Sequence, residues 1–321
     1  MIKAPQIYMI SYPIKKHQEI TLCLTMIQNN NIICKIINNK EKCTMPGVLF
    51  EGGSFRAVFS CGVMDALLDN NIMFPYCIGV SAGAANSASY ISKQSGRNIQ
   101  VYVNYRNDKR YVGKRNFLTE KSLFGIDFVF RKVPNELIKF DLDTFRKYTG
   151  RFVVVVTDAL TGKAKYFGKE DIDEQFNVFC ATCALPGAFP AVEIAGGFYY
   201  DGGLSNPVPI DKCIEDGNKK MLIVLTQPDG YKKTCLPREK RIARLIQRKY
   251  PAVADRILHR YKKYNKSLEI CNQLESEGKA VILRPPAKLE SLENDINILK
   301  QTYKQGYNLA VKKLDEIRAL F

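Results

Sequence analysis

Residues 75–85, Pro75-Tyr-Cys-Ile-Gly-Val-Ser-Ala-Gly-Ala-Ala85, decide how the rest of the chain is read. Tyr76 to Val80 form a short apolar run, and Ala82 opens a stretch of small residues suited to a helix. Between them, Gly79-x-Ser81-x-Gly83 has the spacing of a tight strand-to-helix turn that lifts a serine hydroxyl into the open. Side chains at the two glycines would collide with the neighbouring strand and helix. The N-terminus of the following helix points at the serine and favours negative charge developing there. Plain β-turn-α connections also produce Gly-x-Ser-x-Gly, so its meaning depends on its surroundings.

Upstream, Val48 to Glu51 read as a first strand, followed by Gly52-Gly53-Ser54-Phe55-Arg56. A helix is expected next, with Val58, Phe59, Val63, Met64, Leu67 and Leu68 at helical spacing. Glycines between a strand and a helix leave backbone N–H groups free to face an anion. No Gly-Lys-Ser/Thr follows, so this is not a P-loop, and the G-x-G-x-x-G spacing of a dinucleotide site is absent. Gly52, Gly53 and Ser54 are read instead as an oxyanion loop, whose donors await the charge of a tetrahedral intermediate.

Downstream, Ser122 to Phe130 read as an apolar lid or wall, and the β-branched run Arg151 to Thr157 as a central strand. Thr161-Gly162 turns the chain into a hairpin partner at Lys163 to Phe167. A helix is expected from Asp171 to near Cys183, then a hairpin turning at Gly196-Gly197 and running into Asp201-Gly202-Gly203. Asn206 before Pro207 predicts another helix start, Met221 to Thr226 and Ala280 to Leu283 two more strands, and residues 291–320 a final helix. Alternating strands and helices imply an α/β fold, with a mainly parallel sheet and helices on both faces.

The glycine loop, Ser81 and Asp201-Gly202-Gly203 form a set, and here the chain resembles the patatin-like phospholipase family. The family's Gly-Gly-Gly-x-Arg-Gly loop matches residues 52–57, its Gly-x-Ser-x-Gly matches 79–83, and its Asp-Gly-Gly/Ala matches 201–203. Two positions depart from that pattern, Ser54 and Ala57 standing where the family has glycine. The resemblance runs from about Met45 to Gln227, and it implies a three-layer patatin-like fold and a lipid acyl hydrolase. It further implies a Ser-Asp dyad, with Ser81 as nucleophile and Asp201 as general base, supported by Arg56, Gly79, Gly83, Gly202 and Gly203. No metal or organic cofactor is implied.

A serine hydroxyl is a poor nucleophile until a base takes its proton, and histidine is the usual base. The chain has two, His17 and His259. A competing reading is an α/β-hydrolase triad of Ser81, Asp201 and His259, although His259 lies in a basic helical stretch instead of a loop. Asp158 is an alternative carboxylate, better read as a turn or cap residue. Arg56 is read either as shaping the loop through an ion pair or as holding a substrate phosphate.

The chain of 321 residues has a net charge of +16, which points to an acidic partner. Lys232 to Lys266 hold thirteen Lys or Arg against Glu239 and Asp255. Ile242, Leu245 and Ile246 fall on one face of a helix expected over Arg238 to Tyr250, with Arg241, Arg244 and Arg248 opposite. Lys232 to Lys266 are therefore expected to give peripheral contact with an anionic membrane. A catalytically silent, basic binding module is the reading from a different class, but no nucleic-acid motif or interleaved aromatic platform accompanies the charge. Ten scattered cysteines without a disulfide framework, and no secretory signal, fit a reduced cytoplasmic setting. Cys180-x-x-Cys183 has redox spacing but lacks a thioredoxin-like pattern or a second pair for zinc.

Three regions follow: an N-terminal extension over 1–44, disordered or preceding the true start at Met45; a catalytic α/β domain over 45–230; and a basic, mainly helical C-terminal region over 231–321 packed on the core.

Overall fold

Short apolar runs that bury both faces belong in the middle of a parallel sheet. The computed structural model describes residues 45–321, together with the backbone of 27–28 and 31–32. The chain divides into two units, Met1–Thr44 and Met45–Phe321. In the first, β1 (Ile27–Gln28) pairs antiparallel with β2 (Asn31–Ile32), and the remaining expectations for 1–44 lie outside the described residues. In the second, β3 (Gly47–Phe50) and β4 (Tyr76–Val80) are buried along their whole length and lie side by side in parallel. β5 (Arg151–Asp158) joins β4 in parallel, while β9 (Met221–Val224) and then β10 (Ala280–Leu283) extend the parallel sheet on the other side of β3.

Beyond β5 the pairing turns antiparallel, with β6 (Ala164–Phe167) and β8 (Gly197–Asp201) on β5 and β7 (Val192–Ile194) on β8. The result is a mixed, mostly parallel sheet in the order β10-β9-β3-β4-β5-β8-β7.

Successive residues of a strand face opposite sides, and the strands here serve two cores. Val48, Phe50, Phe152, Val154 and Val156 pack beneath α1 (Val58–Asp69), α2 (Ala82–Ile91) and, further along the chain, residues 178–181. Leu49, Ile78, Val80, Val153 and Val155 face a second core closed by Ile210, Cys213, Tyr264 and Cys271. Three layers result.

Between the sheet-building segments lie α3 (Arg97–Tyr105), α4 (Asn116–Glu120), a π-helical stretch at Phe128–Leu137 and α5 (Leu142–Arg146).

Some helix boundaries differ from expectation, each for a local reason. The helix expected from Asp171 is a short 3-10 turn, Lys169–Asp171, because the Asp171 carboxylate accepts the Gly168 N–H at 2.8 Å and closes the turn; α6 (Asn177–Cys183) starts later. Asn206 does not cap a helix. Its amide donates to Tyr166 Oη and Asp211 Oδ1, and Pro207 and Pro209 each disfavour helix in the residue before them, so α7 (Ile210–Glu215) begins after the second proline. The basic helix α8 (Pro237–Ile246) stops short of Tyr250, and α9 (Pro251–Ser276) restarts with proline in its first turn. The final helix begins at Ile296, where Asp295 caps it, and breaks at Lys313 into α10 (Ile296–Lys312) and α11 (Leu314–Arg318).

The C-terminal helices belong to the same unit as the sheet. α10 lies across α1 with backbones in contact: a Cβ at Gly62 would run into the Tyr303 carbonyl, and one at Gly306 into the Phe59 carbonyl. Tyr303 and Tyr307 reinforce the crossing by donating to Asp65 at 2.7 Å and Asp69 at 2.9 Å. Gly306→Val should force these helices apart and destabilise the fold by roughly 3 kcal/mol. Urea unfolding checks this, through a lower midpoint at unchanged slope.

Candidate active site

The strand register alone gathers the predicted residues at one edge of the sheet. Val80 is level with Val155, and Asp201 with Val156, so Ser81 and Asp201 emerge on either side of β5. Phe50 is level with Gly79, which brings the loop after β3 to the same edge. The carboxyl edge of parallel strands is where open α/β sheets bind ligands.

Ser81 has φ 54° and ψ −132°, a strained backbone for a residue with a side chain. Its neighbours make the turn feasible. A Cβ at Gly79 would meet the Ala84 backbone, and one at Gly83 the Phe50 and Glu51 carbonyls, so both positions must be glycine for α2 to sit this close. The turn is also pinned from α6. The Ser81 N–H donates to Thr182 Oγ1 at 2.9 Å, and the Thr182 hydroxyl donates to the Val155 carbonyl at 2.6 Å. Sequence reasoning missed Thr182, whose segment drew attention only for its two cysteines.

Asp201 ends β8 and is 2% exposed. Its Oδ1 accepts the Gly203 N–H at 2.7 Å, and its carbonyl accepts the Thr157 hydroxyl at 2.8 Å. Gly202 lies tight on Val155. Burial pushes the Asp201 carboxyl up to about 6, against the opposing pull of the Gly203 N–H, the Ser81 hydroxyl and the charge of Arg260. The Cys183 thiol is close to the same pair, and burial together with the Asp201 charge pushes it well above the ordinary thiol range. Such a thiol stays protonated and inert.

Gly52 passes directly over Ser81, leaving only 2.9 Å between a would-be Cβ and Ser81 Cβ. Ser54 has φ 52°, so the position where the family has glycine keeps a glycine-like backbone despite its side chain. Among the described residues nothing accepts from the N–H groups of Gly53 and Ser54, which remain available as donors. Arg56 folds back so that its guanidinium packs on Gly53, and it makes no ion pair within 4 Å with a described residue. Ala57, the second departure, is fully buried beneath the loop.

Two clefts meet at Ser54, Ser81 and Leu185. One is polar, lined by Asp201, Arg56, Lys233, Arg238 and Arg260. The other is apolar, lined by Phe55, Tyr102, Tyr111, Phe124, Phe130 and Phe189. Phe124 and Phe189 stack at 5.3 Å, so the segment expected to form a lid or wall is the wall of the apolar cleft.

Neither alternative group is brought to Ser81. Asp158 Oδ1 accepts the N–H groups of Leu160 and Thr161 and closes a turn. His259 lies half-exposed on α9, with Nδ1 2.9 Å from Asp255 Oδ1, and lines a separate cavity with Gly162 and Arg256. His17 lies outside the described residues.

Comparison with known proteins bears on this arrangement. Residues 250–321 match a domain of unknown function, DUF6363. Over 182 residues the chain is 24% identical to the uncharacterized protein YjjU of Escherichia coli (strain K12), covering 56% of this chain and 51% of YjjU. Over 189 residues it is 25% identical to the Probable lipid hydrolase 463L of Invertebrate iridescent virus 6, covering 54% of this chain and 64% of that protein. The chain thus spans about half to two thirds of the length of these curated relatives. A solved structure, VipD from Legionella pneumophila, aligns at 12% identity with a TM-score of 0.44, covering 85% of this chain and 67% of VipD. Residues 48–214, more than half of the chain, match the family model described as patatin-like phospholipase. That span contains the glycine loop, the Ser81 turn and Asp201, and the chain belongs to the patatin-like phospholipase family.

Proposed function

We propose that the chain hydrolyses lipid esters through a Ser81–Asp201 dyad and an acyl-enzyme intermediate. The observation that carries this reading is Asp201 itself, buried beside Ser81 with its carboxyl lifted to about 6, the range of a competent general base. The acyl chain occupies the aromatic cleft, which places the ester carbonyl at Ser81. As Ser81 Oγ bonds to the carbonyl carbon, Asp201 takes its proton, and the carbonyl oxygen becomes an oxyanion. The N–H groups along Gly52, Gly53 and Ser54 receive that charge. Collapse breaks the ester bond, and the alcohol leaves with the proton from Asp201. Water then adds to the acyl-enzyme by the same route, giving up its proton to Asp201 and releasing the fatty acid and free Ser81.

The setting we infer is cytoplasmic, at the surface of anionic membranes. Among the described residues no helix is long and apolar enough to cross a membrane. Contact through Lys232 to Lys266 is supported by α8, where Arg241 and Arg244 stand exposed, as does Arg248 just beyond. The apolar face expected on this helix is divided: Ile242 and Ile246 pack towards the core, whereas Leu245 is 81% exposed among the arginines. An exposed leucine within a basic surface suits an interfacial segment.

Ser81→Ala and Asp201→Asn should each lower ester hydrolysis by at least about a thousandfold and abolish or impair fluorophosphonate labelling, whereas His259→Ala should keep most activity. Equal loss in folded His259→Ala protein would overturn the dyad.

The titration of Asp201 gives a second expectation. Rates should fall about tenfold per pH unit below pH 6, as the base becomes protonated. The folded-state pKa is raised above the ordinary 3.8, so the stability contributed by the bound proton is present below that value and lost as pH rises through about 6. The difference is about 3 kcal/mol. Asp201→Asn, neutral throughout, should therefore melt above the parent at pH 8, with the gap closing towards pH 4.

Replacing Arg241, Arg244 and Arg248 with Gln should weaken binding to anionic vesicles by roughly a hundredfold at low salt, since each cation contributes about 1 kcal/mol. Hydrolysis of a soluble short-chain ester should persist. Equal vesicle binding by variant and parent would reduce the basic segment to a solvated face.

A further inference from the structure

The polar cleft beside Ser81 is walled on its far side by cations from outside the span that matches the family. Lys233 comes from the segment leading into α8, Arg238 from the first turn of α8, and Arg260 from α9, within the domain of unknown function. Hydrogen bonds hold this wall against the sheet. Asn265 on α9 clamps Lys233 from both sides, accepting its N–H at 2.9 Å and donating to its carbonyl at 3.0 Å. The preceding residue, Tyr264, donates to Glu51 at 3.0 Å, immediately before the glycine loop.

Glu51, Asp201 and Glu239 line the same cleft against Arg56, Lys233, Arg238 and Arg260, and their charges reach Lys233 and Arg260 without closing an ion pair. Glu51 accepts the Thr226 N–H at 2.6 Å as well as the Tyr264 hydroxyl, and Glu239 accepts the Leu236 N–H at the start of α8. Lys233, Arg238 and Arg260 make no ion pair within 4 Å with a described residue, and the buried Arg260 Nε has no partner. Burial lowers Lys233 to about 8; the charges of Arg260 and Arg56 push in the same direction, and those of Glu239 and Glu51 oppose them. Lys233 and Arg260, half-buried and repelling each other, are stabilised by an arriving anion, as is the more exposed Arg238 at the rim. Guanidinium forks and an ammonium lining one cleft suit the donors a phosphate group needs. The aromatic cleft meets this one at Ser81, so with the acyl chain in the aromatic cleft the anion falls on the alcohol side of the scissile ester.

We propose that Lys233, Arg238 and Arg260 form an anion subsite, supplied by the C-terminal region, that selects esters whose alcohol portion carries a phosphate over neutral esters. The proposal rests on the Ser81 and Asp201 reading above and gives the domain of unknown function a part in substrate choice.

The test compares kcat/KM for dihexanoylglycerol phosphate and neutral dihexanoylglycerol, both below their aggregation concentrations. The parent should favour the phosphate ester at least tenfold. Lys233→Gln, Arg238→Gln and Arg260→Gln should each shrink that ratio several-fold, the triple variant should bring it near one, and Lys233→Arg should retain it. Melting temperatures identify any variant that fails to fold. Inorganic phosphate should compete with the phosphate ester. If it instead acts without competing, the site serves free phosphate, and the substrate assignment is overturned.

A parent that hydrolyses both esters equally, or a triple variant that keeps the preference, overturns the subsite and leaves the dyad standing. A parent that hydrolyses neither overturns the dyad. In that case the ether-linked phosphate lipid, titrated onto parent and triple variant, decides the subsite by itself: tighter binding to the parent upholds it, and equal binding overturns it.

Discussion

The Thr182 hydroxyl is the contact on which the rest of the site depends. It donates to Val155 on β5 and accepts from the Ser81 N–H, tying a helix, a central strand and a strained turn through one oxygen. A residue with a side chain at positive φ costs on the order of 1–3 kcal/mol, so the turn needs surroundings that leave it no alternative. Gly79 and Gly83 permit the close packing, and Thr182 supplies the partner for the donor the turn would otherwise bury. The position of Ser81, the proposed nucleophile, is thus set by Gly79, Gly83 and Thr182.

Much of this was readable from the sequence because it was local. Strand, glycine-rich turn and helix follow each other without interruption at 48–69 and again at 76–91, and the structure has the elements there. Asp201 could be paired with Ser81 only through resemblance to a family. Nothing in the spacing shows that β8 runs antiparallel to β5 and ends level with Val156. Thr182 was invisible for the same reason, since its role is a contact across the sheet. The helix starts placed at Asp171 and Asn206 failed where side chains had better partners. Asp171 accepts from Gly168, and Asn206 donates to Tyr166 and Asp211, so residues with good capping propensity were spent on turns.

The basic C-terminal region was legible as charge but not as geometry. Composition treats the cations of 232–266 alike, whereas the fold sorts them. Arg241, Arg244 and Arg248 stand in solvent, while Lys233 and Arg260 turn inward to the cleft. Hydrophobic spacing on a helix also cannot say which apolar residue lacks a partner. Ile242 and Ile246 find the core, and Leu245 does not.

The crossing of α1 and α10 bears on how the molecule comes to exist. Gly62 and Gly306 meet from opposite ends of the unit, and β10, which closes one side of the sheet, also comes from late in the sequence. Contacts so distant along the chain make folding slow, because a long loop must close before they form. During synthesis, α1 and the Ser81 turn leave the ribosome well before the helix that covers them, exposing apolar surface that the finished unit buries. The same order means that Ser81 is made long before Lys233 and Arg260, and a nascent chain carries the serine without a finished cleft.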